Sequence, residues 1–363
     1  MIDTTIFISA IYVTLVMVFL IGWKRIITFE PIPEKSILNK ISVVVACRNE
    51  TANLPHLLHS FQNQSLTGYQ LILVDDHSTD STFQIMEQWA KEVDNVLVLK
   101  SEDYGKKKAL KTGIESATNE LIITTDADCT PTPLWLETVA QFYEETNADL
   151  IIGPVAIYPA NNYFEKMQQL EFHSLVSSGA GAAGAGKPIM CNGANLAFKR
   201  SVWLSNYSNL QDKSASGDDV FLLHAIKKQT GKIEFLKSKN AFVTTKPSET
   251  IRTFLNQRKR WASKAPLYTD FTTILVSIIV LGTSLLQITL LIASFISINY
   301  LIYLGIVFIS KLVIDFIFLK QTASFFGQKI TAITLLLSAA VYPFYIVYSA
   351  ISGVIKGIKT YSN

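Results

Sequence analysis

Between residues 271 and 310 the chain carries no charged side chain, a run long and apolar enough to fill the hydrocarbon core of a bilayer more than once. Asn299 divides it into two candidate spans, roughly 271–298 and 300–319, and a third follows at 330–355 with Pro343 inside it. Residues 4–23 are also uncharged and are closed by Lys24 and Arg25, a basic flank of the kind that stays on the cytoplasmic side. The charges follow this run rather than precede it, and no small-residue cleavage site is evident, so it reads as a retained anchor and not as a signal peptide. Four crossings would leave Lys356 and Lys359 on the outer face, where lysine is disfavoured, and a re-entrant last segment would remove that conflict. Lys311 and Asp315, one helical turn apart inside a span, read as a self-neutralising pair.

The rest of the chain is different in kind. Only 17% of all residues are charged and 49% are hydrophobic, too apolar for an ordinary soluble enzyme of 363 residues, yet most of the charge lies in the middle. The net charge of +3 and the lack of a basic run interleaved with aromatics exclude nucleic acid as a partner. Cys47, Cys129 and Cys191 are odd in number and lack zinc spacing, which suits small buried fillers in a reducing compartment.

In this middle region apolar runs at 41–46, 70–74, 96–99, 121–125 and 149–152 alternate with helical patterns at 52–61, 81–89 and 106–116. That is the rhythm of an α/β fold with a mostly parallel, doubly wound sheet. The expected organisation is an anchor at 1–25, a cytoplasmic α/β catalytic domain at 38–250, an amphipathic interfacial helix at 251–268 and a three-span region at 269–363.

Polar residues follow three successive strands at the same edge, where open α/β sheets bind ligands. The fourth strand ends in Asp126-Ala127-Asp128, two carboxylates separated by one small residue, which suits a hard divalent cation that keeps its other positions for water and phosphate oxygens. Asp75-Asp76-His77-Ser78-Thr79-Asp80 closes the second strand, and Arg48-Asn49-Glu50 the first. Residues 177–187 match a dinucleotide fingerprint and nearly match a phosphate loop, but no strand feeds the run and Pro188 stands where the hydroxyl should be. A mobile loop near an acceptor site, or a plain linker, is expected there. Cys191-Asn192-Gly193-Ala194-Asn195 contains a tight Asn-Gly turn, and Asp218-Asp219 opens an amphipathic helix that either aspartate is suited to cap. Residues 251–268 mix Arg252, Arg258, Lys259, Arg260 and Lys264 with Phe254, Leu255, Trp261 and Leu267, the pattern of a membrane-surface helix that carries Gln257, Arg260 and Trp261 on one face. His56, His59, His77, His173 and His224 form no ligand spacing and are expected in surface or core roles, while Trp135 and Trp203 belong to packing.

Taken together and in this order, Arg48-Asn49-Glu50, Asp75-Asp76 with Ser78 and Asp80, Gly105-Lys106, Thr125-Asp126-Ala127-Asp128, Asn192-Gly193-Ala194-Asn195, Asp218-Asp219 and Gln257-x-x-Arg260-Trp261 resemble the inverting glycosyltransferases of family 2. The likeness is to the membrane-embedded branch that includes cellulose, chitin and hyaluronan synthases and ceramide glucosyltransferase, and it covers residues 41–261 and the flanking helices. It implies a GT-A fold, a nucleotide-sugar donor of UDP type, a Mg²⁺ or Mn²⁺ cofactor, and a membrane-associated lipid or oligosaccharide acceptor. It places the nucleotide-sugar near Ala46, Arg48, Glu50, Asp76, Lys106 and Asp126 and the metal at Asp128. Asp219 becomes the general base that takes the acceptor proton, in preference to Asp218. Asn192, Gly193, Asp218, Gln257, Arg260 and Trp261 fall on the diphosphate and acceptor side.

Two departures qualify the likeness. Gly217-Asp218-Asp219 stands where the family often has Glu-Asp, and three spans after the catalytic domain are few for a long polymer channel, which favours a glycolipid or short oligosaccharide product over processive synthesis and export. A nucleotidyltransferase shares the acidic metal ligands but leaves the Gln-x-x-Arg-Trp helix unexplained. A nucleotide-sensing membrane protein or transporter needs polar residues throughout its spans, where only Lys311 and Asp315 are charged.

Overall fold

A computed structural model of the chain describes residues 2–33, 37, 40–207 and 218–361. The chain forms two compact units, one made of Ile26–Tyr158 and Met190–Lys246, the other of Met1–Arg25, Pro159–Ile189 and Pro247–Asn363.

The first unit is α/β. Strands β1 (Ile41–Cys47), β2 (Gln70–Asp75), β3 (Val96–Lys100) and β4 (Leu121–Asp126) lie parallel in the order β3-β2-β1-β4. Helices α2 (Leu54–Gln62), α3 (Thr82–Ala90) and α4 (Lys106–Glu115) connect them. Val43, Val44 and Val45 of β1 are fully buried, as a strand covered on both faces requires, and their branching suits the pleated backbone. Beyond β4 the sheet changes direction: β8 (Leu196–Lys199) pairs antiparallel with β4, β6 (Leu150–Ile152) antiparallel with β8, and β9 (Ile233–Phe235) parallel with β6. A second, three-stranded sheet joins β5 (Cys129–Pro131), β10 (Val243–Thr245) and β7 (Val155–Ile157). Helices α5 (Trp135–Thr146), α7 (Arg200–Asn206) and α8 (Asp218–Lys228) complete the unit. The expected mostly parallel sheet is therefore parallel in its first half and mixed in its second.

Two contacts fix this unit around its strand ends. Gly113 lets α4 close onto β1, because a Cβ there would stand 2.4 Å from the Val44 side chain. Buried Asn195 accepts from Trp135 Nε1 at 2.9 Å and donates to the carbonyls of Pro154 and Ala241, each at 2.8 Å, so one amide joins α5 to three separate loops. All three cysteines are free and buried.

The second unit is helical: α1 (Ile2–Arg25), α6 (Tyr163–Gly184), α9 (Ile251–Ala262), α10 (Phe271–Ser294), α11 (Asn299–Ala323) and α12 (Ala332–Tyr361). Four of these, α1, α10, α11 and α12, are long and apolar enough to cross a membrane, with Pro343 inside α12. Lys311 and Asp315 form the expected ion pair; Tyr12 of α1 donates to Asp315 at 2.9 Å, and the Lys311 ammonium lies over the rings of Tyr12 and Tyr342.

One expectation is overturned. Residues 177–184 are not a loop but the last two turns of α6, which starts at a capping box between Asn162 and Glu165. A Cβ on Gly22 of α1 would lie 1.9 Å from the Gly181 carbonyl oxygen, and one on Gly181 would lie 2.4 Å from that of Phe19. The small residues serve as the face on which two helix backbones meet, and this packing outweighs the poor helix propensity of glycine. The same finding interrupts the continuous 38–250 domain, since Pro159–Ile189 clusters with the helices and not with the sheet.

Candidate active site

The carboxyl ends of β1, β2 and β4 lie side by side. Register places Ala46 opposite Asp126 on one side and Val74 on the other, so the residues that leave these three strands share one edge. Sharp turns carry the chain away: Asn49 and His77 both have φ 57°, a left-handed conformation that is uncommon for non-glycine residues. The Asn49 side chain accepts from the Thr79 N–H at 2.8 Å and its own N–H donates to Ser78 Oγ at 3.1 Å, which locks the first turn to the second.

Asp76 is 4% exposed and has one backbone donor and two basic side chains around it. The Gly105 N–H reaches Oδ1 at 2.7 Å, His77 Nδ1 stands 3.5 Å from the same oxygen, and Arg48 Nη1 is 3.9 Å from Oδ2. Gly105 makes its contact from φ 112°, a geometry that favours glycine, and so begins α4 with Lys106 next in line. Exposed Tyr104 stacks on His77 with ring centroids 3.8 Å apart, and the Arg48 guanidinium lies 5.7 Å from the Tyr104 ring. Buried Asp75 accepts from Ser78 N–H at 3.3 Å through Oδ2, while its Oδ1 has no hydrogen-bond partner among the described residues. Asp80 accepts from both the hydroxyl and the N–H of Thr82, and the hydroxyl foremost lowers its carboxyl to about 2.

Lys106 forms an ion pair with Asp126. Ligand atoms of Asp126, Asp128 and Cys129 lie within 4.8 Å of one another. Burial raises the Glu50 carboxyl; Asn53, donating to Oε2 at 2.9 Å, pulls it down, and the charges of Asp128, Asp126 and Asp80 add to the rise. Asp128 reaches solvent at its side chain, yet the loss of hydration against the surrounding protein is the largest cause of its upward shift, followed by the charge of Asp126. The charge of Asp126 thus makes both Glu50 and Asp128 harder to ionise while Lys106 opposes it at Asp128, an acidic cluster suited to a cation. Asp126 and Asp128 supply the oxygen donors a hard ion takes. Cys129 is buried and its thiol is held well above the ordinary range by burial first and by the two aspartates second, so it fits such an ion poorly.

Asp219 is tied to the same edge by a different route. Thr124 of β4 donates to the Gly193 carbonyl at 3.0 Å, and the Gly193 N–H donates to Asp219 Oδ2 at 3.0 Å. Asn192 starts the turn by accepting from Ala194 N–H at 3.0 Å. Asp219 Oδ1 also accepts from the Val220 N–H at 2.8 Å, at the start of α8, which is where a carboxylate meets the positive end of a helix. The Asp218 side chain and residues 216–217 lie outside the described residues.

Ala46, Arg48, Glu50, Asp76, Lys106, Asp126, Asp128, Asn192, Gly193 and Asp219 thus all belong to the α/β unit, whereas Gln257, Arg260 and Trp261 belong to α9 of the helical unit. Sequence reasoning left His77, Tyr104 and Thr124 without a part in the site. Tyr104 directly precedes Gly105-Lys106, the one signal that marks it.

A sheet with parallel strands ending in acidic turns, an antiparallel strand beyond the Asp126 edge and a small second sheet defines a mixed α/β domain of GT-A type, accompanied by four candidate membrane helices. Residues 42–203, a little under half of the chain, match the family model for glycosyl transferase family 2. Glycosyltransferase AglE of Haloferax volcanii is 31% identical over 128 residues, 34% of this chain and 42% of that protein. The undecaprenyl-phosphate 4-deoxy-4-formamido-L-arabinose transferase of Proteus mirabilis is 30% identical over 159 residues, 42% of this chain and 46% of that protein, so the chain spans less than half the length of either relative. Among solved structures, the mannosyltransferase PcManGT from Pyrobaculum calidifontis, in complex with GDP-Man and Mn²⁺, superimposes with a TM-score of 0.56 at 16% identity over 99% of each chain. That likeness is one of fold.

Proposed function

We propose that the chain transfers a sugar from a nucleotide-sugar to a membrane-associated acceptor, with inversion at the anomeric carbon, from a catalytic unit on the cytoplasmic side. The observation that carries this reading is the acidic cluster of Glu50, Asp126 and Asp128 beside Lys106, at the strand edge that also holds Asp76 and Asp219. Asp76 with Arg48, His77 and Ala46 receives the base of the nucleotide, and Asp126 and Lys106 the ribose and diphosphate. Asp126 and Asp128 would hold a Mg²⁺ or Mn²⁺ ion, which would supply positive charge toward the departing diphosphate. One displacement inverts the centre, so a second carboxylate acting as covalent nucleophile is not needed.

Asp219 accepts the proton of an acceptor hydroxyl, and its two backbone donors fix the oxygens that do so. In this reading Asn192, Gly193 and Asp218 are assigned to the acceptor or the diphosphate, and Gln257, Arg260 and Trp261 of α9 are assigned the same role. The names of the bacterial relatives point to lipid phosphates as one acceptor class. A phosphate oxygen is already anionic at neutral pH and needs no base, so the acceptor class decides how much depends on Asp219.

The test is to incubate the purified protein in detergent with Mn²⁺ or Mg²⁺, a panel of labelled UDP- and GDP-sugars, and either polyprenyl phosphate or neutral glycolipids. Label passing into one lipid class supports the proposal. Failure to release nucleoside diphosphate or to label any lipid, with both metals and all donors, overturns it.

A further inference from the structure

The helical unit holds a cation that takes no part in the site above. Arg258 is 3% exposed, although it sits in a helix whose other basic residues reach toward solvent. Its guanidinium grips the Glu171 carboxylate of α6 with two nitrogens, Nε at 3.1 Å and Nη2 closer still, and its third nitrogen, Nη1, donates to Gln257 Oε1 at 2.6 Å. The same guanidinium lies between two rings of its own helix, 4.6 Å from the Phe254 centroid and 4.1 Å from that of Trp261. From α12, the Tyr345 hydroxyl donates to Glu171 Oε1 at 2.8 Å. Phe172, next to Glu171, packs against Trp261 from the other helix.

We infer that Arg258 is a positioning residue: seated by Glu171 and Tyr345, it orients Gln257 through a hydrogen bond and Trp261 through its ring face. This rests on the proposed transfer reaction, in which Gln257 and Trp261 serve the diphosphate and the acceptor. Three features favour it over a plain stabilising pair. All three nitrogens of the planar fork are used, which an ammonium cannot reproduce, so the arrangement fixes direction as well as charge. The third of them ends on the Gln257 side chain and not on a backbone carbonyl. The pair is also nearly dry, and buried ion pairs are weak devices for stability but effective ones for fixing a single arrangement. With Arg258 bonded to Oε1, the oxygen of the Gln257 amide is engaged and its NH₂ group remains as a donor.

The seat continues into the membrane helices. Tyr342 and Tyr345 of α12 are T-shaped neighbours with centroids 6.1 Å apart, and Lys311 lies 4.6 Å from the Tyr342 ring. Polar side chains thus run from the Lys311–Asp315 pair through two tyrosines to Glu171, Arg258 and Gln257, all within one compact unit.

The experiment uses the full chain in detergent, labelled with 5-fluorotryptophan, with the Trp261 signal assigned by Trp261→Phe. In Arg258→Lys and in Tyr345→Phe the Trp261 fluorine line shifts, more in the first, while the other four tryptophan lines hold their positions. In the transfer assay, Arg258→Lys lowers kcat about tenfold, the scale of losing one charge-assisted hydrogen bond, and leaves KM for the donor within about twofold. Gln257→Ala combined with Arg258→Lys transfers no more slowly than Gln257→Ala alone, since the two act through one group. An unmoved Trp261 line, or rate losses that multiply in the double variant, overturns the inference. A wild-type protein that transfers nothing counts against the reaction proposed above, and the fluorine signal still decides whether Arg258 sets Trp261.

Discussion

The backbone N–H of Gly193 points at Oδ2 of Asp219 across 3.0 Å, and the carbonyl of the same glycine is held at 3.0 Å by the hydroxyl of Thr124 on β4. A single peptide turn therefore sets the distance between the start of α8 and the strand that ends in Asp126, two residues before Asp128. In the proposed reaction, a base that must meet a substrate held by those aspartates is kept in reach by backbone atoms, which have little freedom to drift. Replacing Asp219 with Asn keeps the shape and removes the base. Transfer to hydroxyl acceptors is expected to fall by about 10²- to 10⁴-fold, transfer to a lipid phosphate by far less, and UDP or GDP binding measured by calorimetry to stay unchanged.

The acidic cluster gives a second expectation, with a sign fixed by the direction of its shifts. Glu50 and Asp128 are both raised, so each binds a proton more tightly in the folded chain than in the unfolded one. Their ionisation weighs against the folded state above the raised folded value, and this penalty is gone below the ordinary carboxylate range. At neutral pH without metal, Asp128→Asn should raise the melting temperature slightly. Mn²⁺ should raise that of the wild type and not that of the variant, and its effect should fade on acidification sooner than for an unshifted pair of carboxylates. Differential scanning fluorimetry with and without Mn²⁺ between about pH 4.5 and 7.5, a range set around the ordinary carboxylate values, reads all three.

At the α1–α6 contact, backbone meets backbone with no room for a side chain. Gly22→Val should cost about 2 kcal/mol or more by forcing the helices apart, and Gly282→Val, where a Cβ meets nothing within 4 Å, should cost little. Thermal unfolding in detergent compares the two.

Asn195 predicts a loss in the other unit. Changing it to Ala strands the Trp135 indole N–H and the Ala241 carbonyl in a buried site and takes from the Pro154 carbonyl one of its two donors, the Val243 N–H at 3.1 Å remaining, a cost of about 3 kcal/mol on the scale of unsatisfied polar groups. Denaturant unfolding should show it, together with a change in near-ultraviolet dichroism from Trp135.

Much of the α/β unit was legible because its strands are apolar runs bounded by polar turns. The pattern gave β1 to β4 to within a residue or two, and the three acidic exits, Glu50, Asp76 and Asp126, with them. The antiparallel β8 was not legible, since a four-residue strand after an Asn-Gly turn has no period that sets its partner. The error at 177–187 has a definite cause: glycine and alanine signal a loop when water is the assumed neighbour, and a close helix contact when another glycine is. Neither the Thr124–Gly193–Asp219 bridge nor the Glu171–Arg258 pair could be read, because 69 and 87 residues separate their members and nothing in local spacing links them. The Lys311–Asp315 pair could, since four residues on a helix always face one another.

The excursion of the chain at Pro159–Ile189 bears on any attempt to isolate the α/β unit by truncation. A fragment cut to Ile26–Lys246 would still contain α6 but would lack α1, so Gly181 and the small residues around it would be bared to solvent with no helix to cover them. Such a fragment should clump on expression, and replacing α6 with a short polar bridge between Tyr158 and Met190 should be the change that keeps it dispersed.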